Sequence, residues 1–330
     1  MLLSVRQVVQ VKLIIQIPCY NEQDTLAEVI ESLPRELPGI DKIEYLIVDD
    51  GSTDKTIAVA EKLGVHHILN LGSNHGLAVA FLRGVRRSVE LGADIIVNTD
   101  GDNQYKAEYI KDLIVPIVEG KADIVIGARP IEKIPEFSWL KKKLQRLGSG
   151  AVRRFSGTDV PDTTSGFRAY SAGAAMQLQV FNRYTYTLET IIQAGVMNMR
   201  LCSVPIEVNP KTRASRLISS IPIYIWRSMT IIIRSYITYR PFRTFCYASA
   251  VVGIIGLFPW MRFLYYWFHG ERGGHVQSLI LGATLLIISF VLFGLGILGH
   301  VISANRQLIH ETLYLMRSSP GNNDKSKTLD

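Results

Sequence analysis

Residues 12–33 read KLIIQIPCYNEQDTLAEVIESL. An apolar run, Leu13–Pro18, leads into a polar turn, and in Thr25–Leu33 apolar residues return at helical spacing. A short uncharged run closed by turn residues predicts a buried strand, and the spacing of three and four after it predicts a helix packed on the sheet. The same unit recurs along the chain. Strands are expected at Tyr45–Asp49, His67–Leu69, Ile95–Asn98 and Ile124–Gly127, and helices at Lys55–Leu63, Leu77–Leu91 and Ala107–Val118. Asp24 and Asp54 stand where an N-cap is wanted. Strands alternating with helices predict an α/β protein with a doubly wound, mostly parallel sheet. Such sheets bind ligands beyond the carboxyl ends of their strands. The polar motifs fall there: IPCYNE after the first strand, VDDGS after the second, NTDGDNQ after the fourth and GAR after the fifth.

The whole chain has 330 residues, 48% hydrophobic and 20% charged, with a mean hydropathy of +0.17. That excludes a mainly disordered chain and is more apolar than a purely soluble enzyme requires. Length alone gives a prior of about two domains. Cys19, Cys202 and Cys246 stand far apart without metal-ligand spacing, so neither a disulfide framework nor a zinc site is expected, and a reducing compartment is the default. The opening MLLSVRQVVQVKLIIQIP has a short apolar run and no small-residue cleavage site, so no signal peptide is expected and the first half should stay in the cytosol. Charge is uneven: residues 1–130 carry 13 Lys+Arg against 19 Asp+Glu, and residues 131–330 carry 23 against 10. A basic half suits nucleic acid, anionic lipid or a phosphorylated substrate. The apolar segments that come after the basic stretch decide among these.

Residues 131–243 hold an amphipathic stretch, Trp139–Phe155, the loop GTDVPDTTSGFRAY, a helix around Thr187–Ala194 and a strand near Leu201–Glu207. From Ile221 the chain reads IPIYIWRSMTIIIRSYITYRPF, with Ser220 as cap and Pro222 in the first turn. Arg227 and Arg234, seven apart, share a face opposite many isoleucines, as in a helix lying in a membrane interface. Thr244–Met261, extended by Phe263–Phe268 after Arg262, and Val276–Ala304 are then long enough to cross about 30 Å of hydrocarbon. The short connector HGERGG makes them a hairpin. Arg240 and Arg243 before it, and Arg306, Arg317, Lys325 and Lys327 after it, place both ends in the cytosol. The expected divisions are a catalytic domain over 1–215, juxtamembrane helices over 216–243, the hairpin over 244–304 and a cytosolic tail over 305–330, disordered from SSPGNNDKSKTLD onward. A basic stretch directly before two spans points to lipid and away from nucleic acid.

Asp100-Gly101-Asp102 sits just past an apolar strand. Two carboxylates one residue apart suit a hard divalent cation, because Mg2+ takes one or two carboxylates and keeps other positions open for phosphate oxygens. An acidic surface turn is the bland alternative, and the placement at a strand end beside other polar motifs argues against it. In Asp49-Asp50-Gly51-Ser52 the glycine permits a tight turn. The acids there can accept from a base or ribose, while Ser52 or Asp54 can cap the next helix. IPCYNE supplies a proline turn, an aromatic ring and a carboxylate. Asn74-His75-Gly76 opens a helix whose backbone amides can meet an anion.

In this order and at these intervals, IPCYNEQDTL, VDDGSTDKT, NHGLAVAFLRG, DGDNQY, GAR and DTTSGFRAY resemble family 2 glycosyltransferases of GT-A fold, most of all the polyprenyl-phosphate branch that includes dolichyl-phosphate mannose synthases. The resemblance covers about residues 12–216, and the helix and hairpin after it resemble the bacterial members that glycosylate undecaprenyl phosphate. It implies that Pro18, Tyr20, Glu22 and Asp50 line the base and ribose, with Gly76 and Asp100 also on the nucleotide. It implies that Asp100, Asp102 and Gln104 hold Mg2+ or Mn2+ against the donor diphosphate, and that Arg129 contacts phosphate. Asp162, with Ser165, Gly166, Phe167 and Arg168, would form the acceptor-side loop, and Asp102, Asp162 and Arg129 would be catalytic. Lys141, Arg168, Arg213, Ser215 and Arg216 would hold the acceptor phosphate. Where the branch often has serine four residues after a basic one, this chain has Lys141 and Gln145, and in Lys211–Arg216 Ala214 takes the place of a glycine.

The implied reaction is inverting transfer of a hexose from a UDP- or GDP-sugar to polyprenyl phosphate at the cytosolic face of the inner (plasma) membrane, supplying a lipid-linked donor for cell-envelope glycosylation. Its partners would be those two substrates and the membrane, with no nucleic acid, and a homo-oligomer is compatible with it. The chemistry is consistent: a lipid monophosphate, with a second pKa near 6, is already anionic and needs positive charge more than a base. Lys141–Lys143, Arg146, Arg213 and Arg216 supply that charge. A processive polysaccharide synthase would carry QxxRW, and no tryptophan here comes directly after an arginine. A dinucleotide dehydrogenase would show GxGxxG after the first strand, which is lacking. A nucleotide-sugar sensor without turnover would not need both an acid pair and a basic acceptor loop.

Overall fold

The computed structural model describes residues 10–130, 146–180 except 147, 151 and 155, then 185–210, 221–270 and 275–318. The chain divides into two compact units, with the boundary between Ile232 and Ile233. In the first, β1 (Lys12–Cys19) runs parallel to β2 (Lys42–Asp49) and β4 (Ile95–Asn98), and β2 runs parallel to β3 (His67–Asn70). β5 (Ile124–Ala128), β6 (Arg168–Ser171) and β7 (Leu201–Pro205) complete a sheet of order β3-β2-β1-β4-β6-β5-β7. Around it lie α1 (Leu26–Ser32), α2 (Thr56–Lys62), α3 (Leu77–Glu90), α4 (Ile110–Val118), α5 (Ala172–Gln177) and α6 (Thr187–Val196).

The sheet is mostly parallel, as expected, with one interruption. β6 pairs antiparallel with both β4 and β5. Its first three residues belong to the stretch read from sequence as a loop. A run headed by an arginine carries no strand signature, and it extends here because the sheet buries it: Arg168, Ala169 and Tyr170 are all fully buried. Ser171 then caps α5, accepting the Ala174 amide at 3.2 Å, a helix the sequence reading did not anticipate.

An aspartate sets the register at the start of three strands. Asp41, Asp94 and Asp123 stand just before β2, β4 and β5, and their carboxylates accept the amides of Val11 (2.6 Å), Lys12 (2.8 Å) and Arg200 (2.8 Å) on the neighbouring chain segment. The N-caps depart from expectation. The N-cap positions are Thr25 for α1 and Lys55 for α2, and neither side chain makes a capping hydrogen bond. Asp54 still accepts the Thr56 amide at 2.9 Å, but it also takes the Gln23 amide at 3.2 Å and so ties two loops together. The expected helix Ala107–Val118 divides into a 3-10 turn, Ala107–Tyr109, and α4.

Beyond these lies α7 (Ile221–Tyr239), whose Trp226 is 76% exposed. The second unit holds the hairpin α8 (Pro241–Phe268) and α9 (Val276–Ser318). Pro241–Phe268 and Val276–Arg306 are long and apolar enough to cross a membrane. The two helices approach closely: a Cβ on Gly256 would stand 2.9 Å from the Leu285 Cβ. Ser249 and Ser289 each donate a hydroxyl to the other's carbonyl at 2.8 Å. The second helix does not stop at Ala304. It runs unbroken to Ser318, so the first part of the expected tail is helical, and the remainder lies outside the described residues.

Candidate active site

The loops after β1 and β2 are sewn together. Asn21, at φ 56°, donates its amide to Ser52 Oγ (2.9 Å), and Glu22 donates to Thr56 Oγ1 (2.8 Å). In return Thr53 donates to Asn21 Oδ1 (2.8 Å) and Lys55 to Gln23 Oε1 (3.0 Å). The IPCYNE and VDDGS motifs therefore form one wall. Pro18 is buried within β1, opposite Val48, while Tyr20 is 38% exposed and presents its ring.

The carboxylate of Asp50 accepts the amides of His75 (2.8 Å) and Gly76 (2.9 Å). Asp50 thus clasps the Asn74-His75-Gly76 turn, and the two expected nucleotide residues Asp50 and Gly76 shape the wall together. Glycine is required at two points of this clasp. Gly76 sits at φ 95°, and Gly51, at φ 76°, would bring a Cβ to 2.5 Å from the Ser73 carbonyl carbon.

The acid loop lies against this wall. A Cβ on Gly101 would stand 3.2 Å from Cys19 Sγ and 3.3 Å from Glu22 Cγ, and Thr25 Oγ1 donates to the Gly101 carbonyl at 2.6 Å. Asp102 accepts the Gln104 amide at 3.1 Å, and the Gln104 carbonyl accepts from the Asn209 amide at 2.9 Å. On the far side Gly166 backs onto Asp100, since a Cβ there would meet both carboxylate oxygens within 3.3 Å. Gly166 is bolted in place: its amide donates to Tyr105 Oη (3.0 Å), and its carbonyl accepts from Asn98 Nδ2 (2.9 Å) and Tyr186 Oη (3.2 Å).

Burial, then the neighbouring Asp102 carboxylate, push Asp100 up to about 7, with Arg129 pulling the other way. Among the described residues no three His, Cys, Asp or Glu side chains form a closed metal cage. Two hard carboxylate donors one residue apart nevertheless fit Mg2+ or Mn2+, which takes one or two carboxylates. Of Gln104, the contacts just named fix the backbone.

Arg129 and Asp162 find each other. Arg129 Nε donates to Asp162 Oδ2 at 2.7 Å, while Nη2 donates to Oδ1 at 3.2 Å and to Thr164 Oγ1 at 2.8 Å. Burial works against the Asp162 anion, but Arg129 and the Thr164 donors hold it below the usual carboxylate range. Asp162 is fully buried with both oxygens engaged. It holds Arg129 at the carboxyl end of β5. Arg168 heads the central β6, is fully buried, and donates to the Ser165 carbonyl (2.8 Å), the Thr163 carbonyl (3.0 Å) and Thr190 Oγ1 (2.8 Å), so it braces the loop. Arg146 is exposed. Lys141–Lys143, Gln145, Arg213, Ser215 and Arg216 lie outside the described residues.

Sequence reading missed the braces Gln16, Asn98, Tyr105 and Tyr186. Gln16 Nε2 donates to Asn98 Oδ1 at 2.8 Å, and Asn98 Nδ2 donates to Tyr186 Oη at 2.8 Å. A polar residue inside each of two apolar runs, LIIQI and IIVN, was the available signal, because a buried amide needs a partner.

Known proteins share this ground. The model of the family described as glycosyl transferase family 2 matches residues 14–178. An undecaprenyl-phosphate mannosyltransferase of Micrococcus luteus is 30% identical over 201 residues, covering 58% of this chain and 80% of that protein. A UDP-N-acetylglucosamine–dolichyl-phosphate N-acetylglucosaminyltransferase of Methanococcus voltae is 31% identical over 214 residues, covering 58% and 83%. Among solved structures, glucosyl-3-phosphoglycerate synthase of Mycobacterium tuberculosis, in complex with Mn2+, UDP-glucose and phosphoglyceric acid, superposes with a TM-score of 0.56 at 18% identity, over 68% of this chain and 79% of that one. At that identity the likeness is one of fold, a GT-A-like mixed sheet.

Proposed function

The chain belongs to glycosyl transferase family 2, and from that premise we propose that it moves a hexose from a UDP- or GDP-sugar, with inversion, onto a polyprenyl phosphate at the cytosolic membrane face. The observation that carries this reading is the Asp100–Asp102 loop, acidic and braced beside the Arg129 cation, in a chain that ends in two apolar helices. The two relatives differ in sugar and in polyprenol, and their names share the polyprenyl phosphate.

In this reading Tyr20 and Glu22 form the face that receives the nucleoside. Asp100, Asp102 and Gln104 hold the divalent cation, which when bound neutralises the diphosphate and the charge that develops on the leaving group. Arg129, aimed by Asp162 and Thr164, adds a fixed positive charge on the same side. Lys141, Arg213, Ser215 and Arg216 take the acceptor phosphate. An oxygen of that phosphate attacks the anomeric carbon as the bond to the nucleoside diphosphate breaks on the opposite side, which inverts the centre. The attacking oxygen is already ionised at neutral pH, so no side chain has to remove a proton. A buried, fully engaged Asp162 is in keeping with that.

The test is purified protein with undecaprenyl phosphate and a panel of radiolabelled nucleotide sugars, with lipid products resolved. One sugar should appear on the lipid phosphate, and dephosphorylated polyprenol should be inert. Equal labelling of the free alcohol would overturn the acceptor class.

A further inference from the structure

The acid loop carries two like charges, Asp100 and Asp102, one residue apart. Their repulsion spreads such a loop unless something outside it holds the backbone. Within the loop Asp102 accepts the Gln104 amide, and Asn103 turns the chain at φ 55°. Other donors come from far along the chain. Thr25 Oγ1 donates to the Gly101 carbonyl at 2.6 Å. Asn209 grips the other end twice: its Nδ2 donates to the Asn103 carbonyl and its amide to the Gln104 carbonyl, both at 2.9 Å.

Neither side chain is spent on the structure immediately around it. A threonine at an N-cap ordinarily turns its oxygen to an amide of the first turn. Thr25 stands at the N-cap of α1, yet its side chain makes no capping bond. The hydroxyl crosses instead to the acid loop, 76 residues on. It also stands 3.2 Å from Glu22 Oε2, so one group joins the loop to the wall formed after β1. Asn209 comes just after a short antiparallel bridge between Val208 and Tyr105. That bridge has an ion pair at its margin, Lys106 with Glu207 at 2.6 Å, so the two segments are paired without the Asn209 side chain. Both donors are neutral, and both are aimed at backbone carbonyls. A lysine or arginine in either place would pair with the carboxylates and compete with a cation. A hydroxyl and an amide fix the backbone and leave the acidic charge where it is.

We propose that Thr25 and Asn209 are positioning residues for the divalent cation: by holding the carbonyls of Gly101, Asn103 and Gln104, they present Asp100, Asp102 and Gln104 to one ion. The inference deepens the proposed function and rests on the cation placement taken there. Groups that orient metal ligands without touching the metal set its affinity by about ten- to a hundredfold.

The test titrates the full chain in detergent with Mn2+, following the free ion by electron paramagnetic resonance, in the presence of UDP and, in a parallel series, GDP. Thr25→Val keeps the shape of the side chain and removes its hydroxyl, and it should raise the Mn2+ dissociation constant about tenfold. Thr25→Ser, which retains the hydroxyl, should stay near the parent value. Asn209→Ala should weaken binding to a similar extent as Thr25→Val, whereas Lys106→Ala, which breaks the ion pair between the same two segments, should not. Thermal melts of the metal-free protein check that each variant is folded; were Asn209→Ala to unfold, the two Thr25 variants decide alone. Parent-like binding by Thr25→Val, equal weakening by Thr25→Val and Thr25→Ser, or a loss in Lys106→Ala as large as in Asn209→Ala would overturn the positioning. Asp102→Asn separates the two layers. If that variant binds Mn2+ as the parent does, or the parent binds none, the cation placement fails and the inference with it. If Asp102→Asn abolishes binding and Thr25→Val leaves it intact, the positioning alone fails.

Discussion

The two ends of the central strands treat a carboxylate in opposite ways. At the amino end Glu44 is 6% exposed and meets Lys12 Nζ and Lys42 Nζ at 2.7 Å and the His67 ring at 2.8 Å. Burial works against its charge, but hydrogen bonds from Lys12, Lys42 and His67 prevail and hold it at about 2. At the carboxyl end Asp100 is pushed up to about 7, first by burial and then by Asp102. One sheet thus carries an acid held in its charged form where the chain only holds itself together and an acid pushed towards its neutral form where the polar motifs converge. An acid raised by burial and a like charge is a mark of sites more than of scaffolding.

The most severe way to break this contrast is at the acid pair. Asp102→Asn should lower turnover by at least about a hundredfold, as loss of a transition-state charge partner does, while the protein stays folded and membrane-bound. Full activity of that variant, or of the parent chain in excess EDTA, would remove the metal from the reading. Asp162→Asn addresses the paired region beside it. Leaving Arg129 buried without its partner should cost about 3–5 kcal/mol of stability in thermal melts. A drop in kcat with unchanged stability would instead return Asp162 to acid–base work.

The amino end is sharpened by pH. The folded Glu44 value, about 2, lies below the ordinary 4.5. Its contribution is therefore present above about pH 4.5 and lost as pH falls towards 2, on the order of 3 kcal/mol. Glu44→Gln should flatten the stability profile in that window and leave turnover at neutral pH unchanged. The smallest effect concerns the cations that the carboxyl end would borrow from outside the sheet. Arg213→Ala or Arg216→Ala should raise the KM for polyprenyl phosphate about ten- to hundredfold, the loss of one charge-assisted contact, with donor KM little changed. A loss confined to the donor would move those residues to the nucleotide.

Legibility in sequence tracked the range of the interaction. β1, β2, β4 and β5 were readable because a buried strand needs only a short uncharged run, and the hairpin because a span needs only length and the absence of charge. The acid pair was readable because its two members are neighbours. Asp50 was recognised as a site residue, but its bonds to the His75 and Gly76 amides were not, since those amides lie 25 and 26 residues on. The bonds of Arg168 to two carbonyls and a threonine were not legible, because its partners come together only when β6 enters the sheet.

By itself the sequence determined the alternation of strands and helices, the placing of acids at strand ends and the two apolar helices, because each arises from patterns within one or two turns of chain. Only the tertiary structure decided that β6 enters the sheet antiparallel, that Asp162 serves Arg129 across 33 residues, and that Gly166 locks onto Asn98 across 68. Whether a charge is neutralised or left open depends on what stands within a few ångströms of it, and chain order alone does not fix which residues those are.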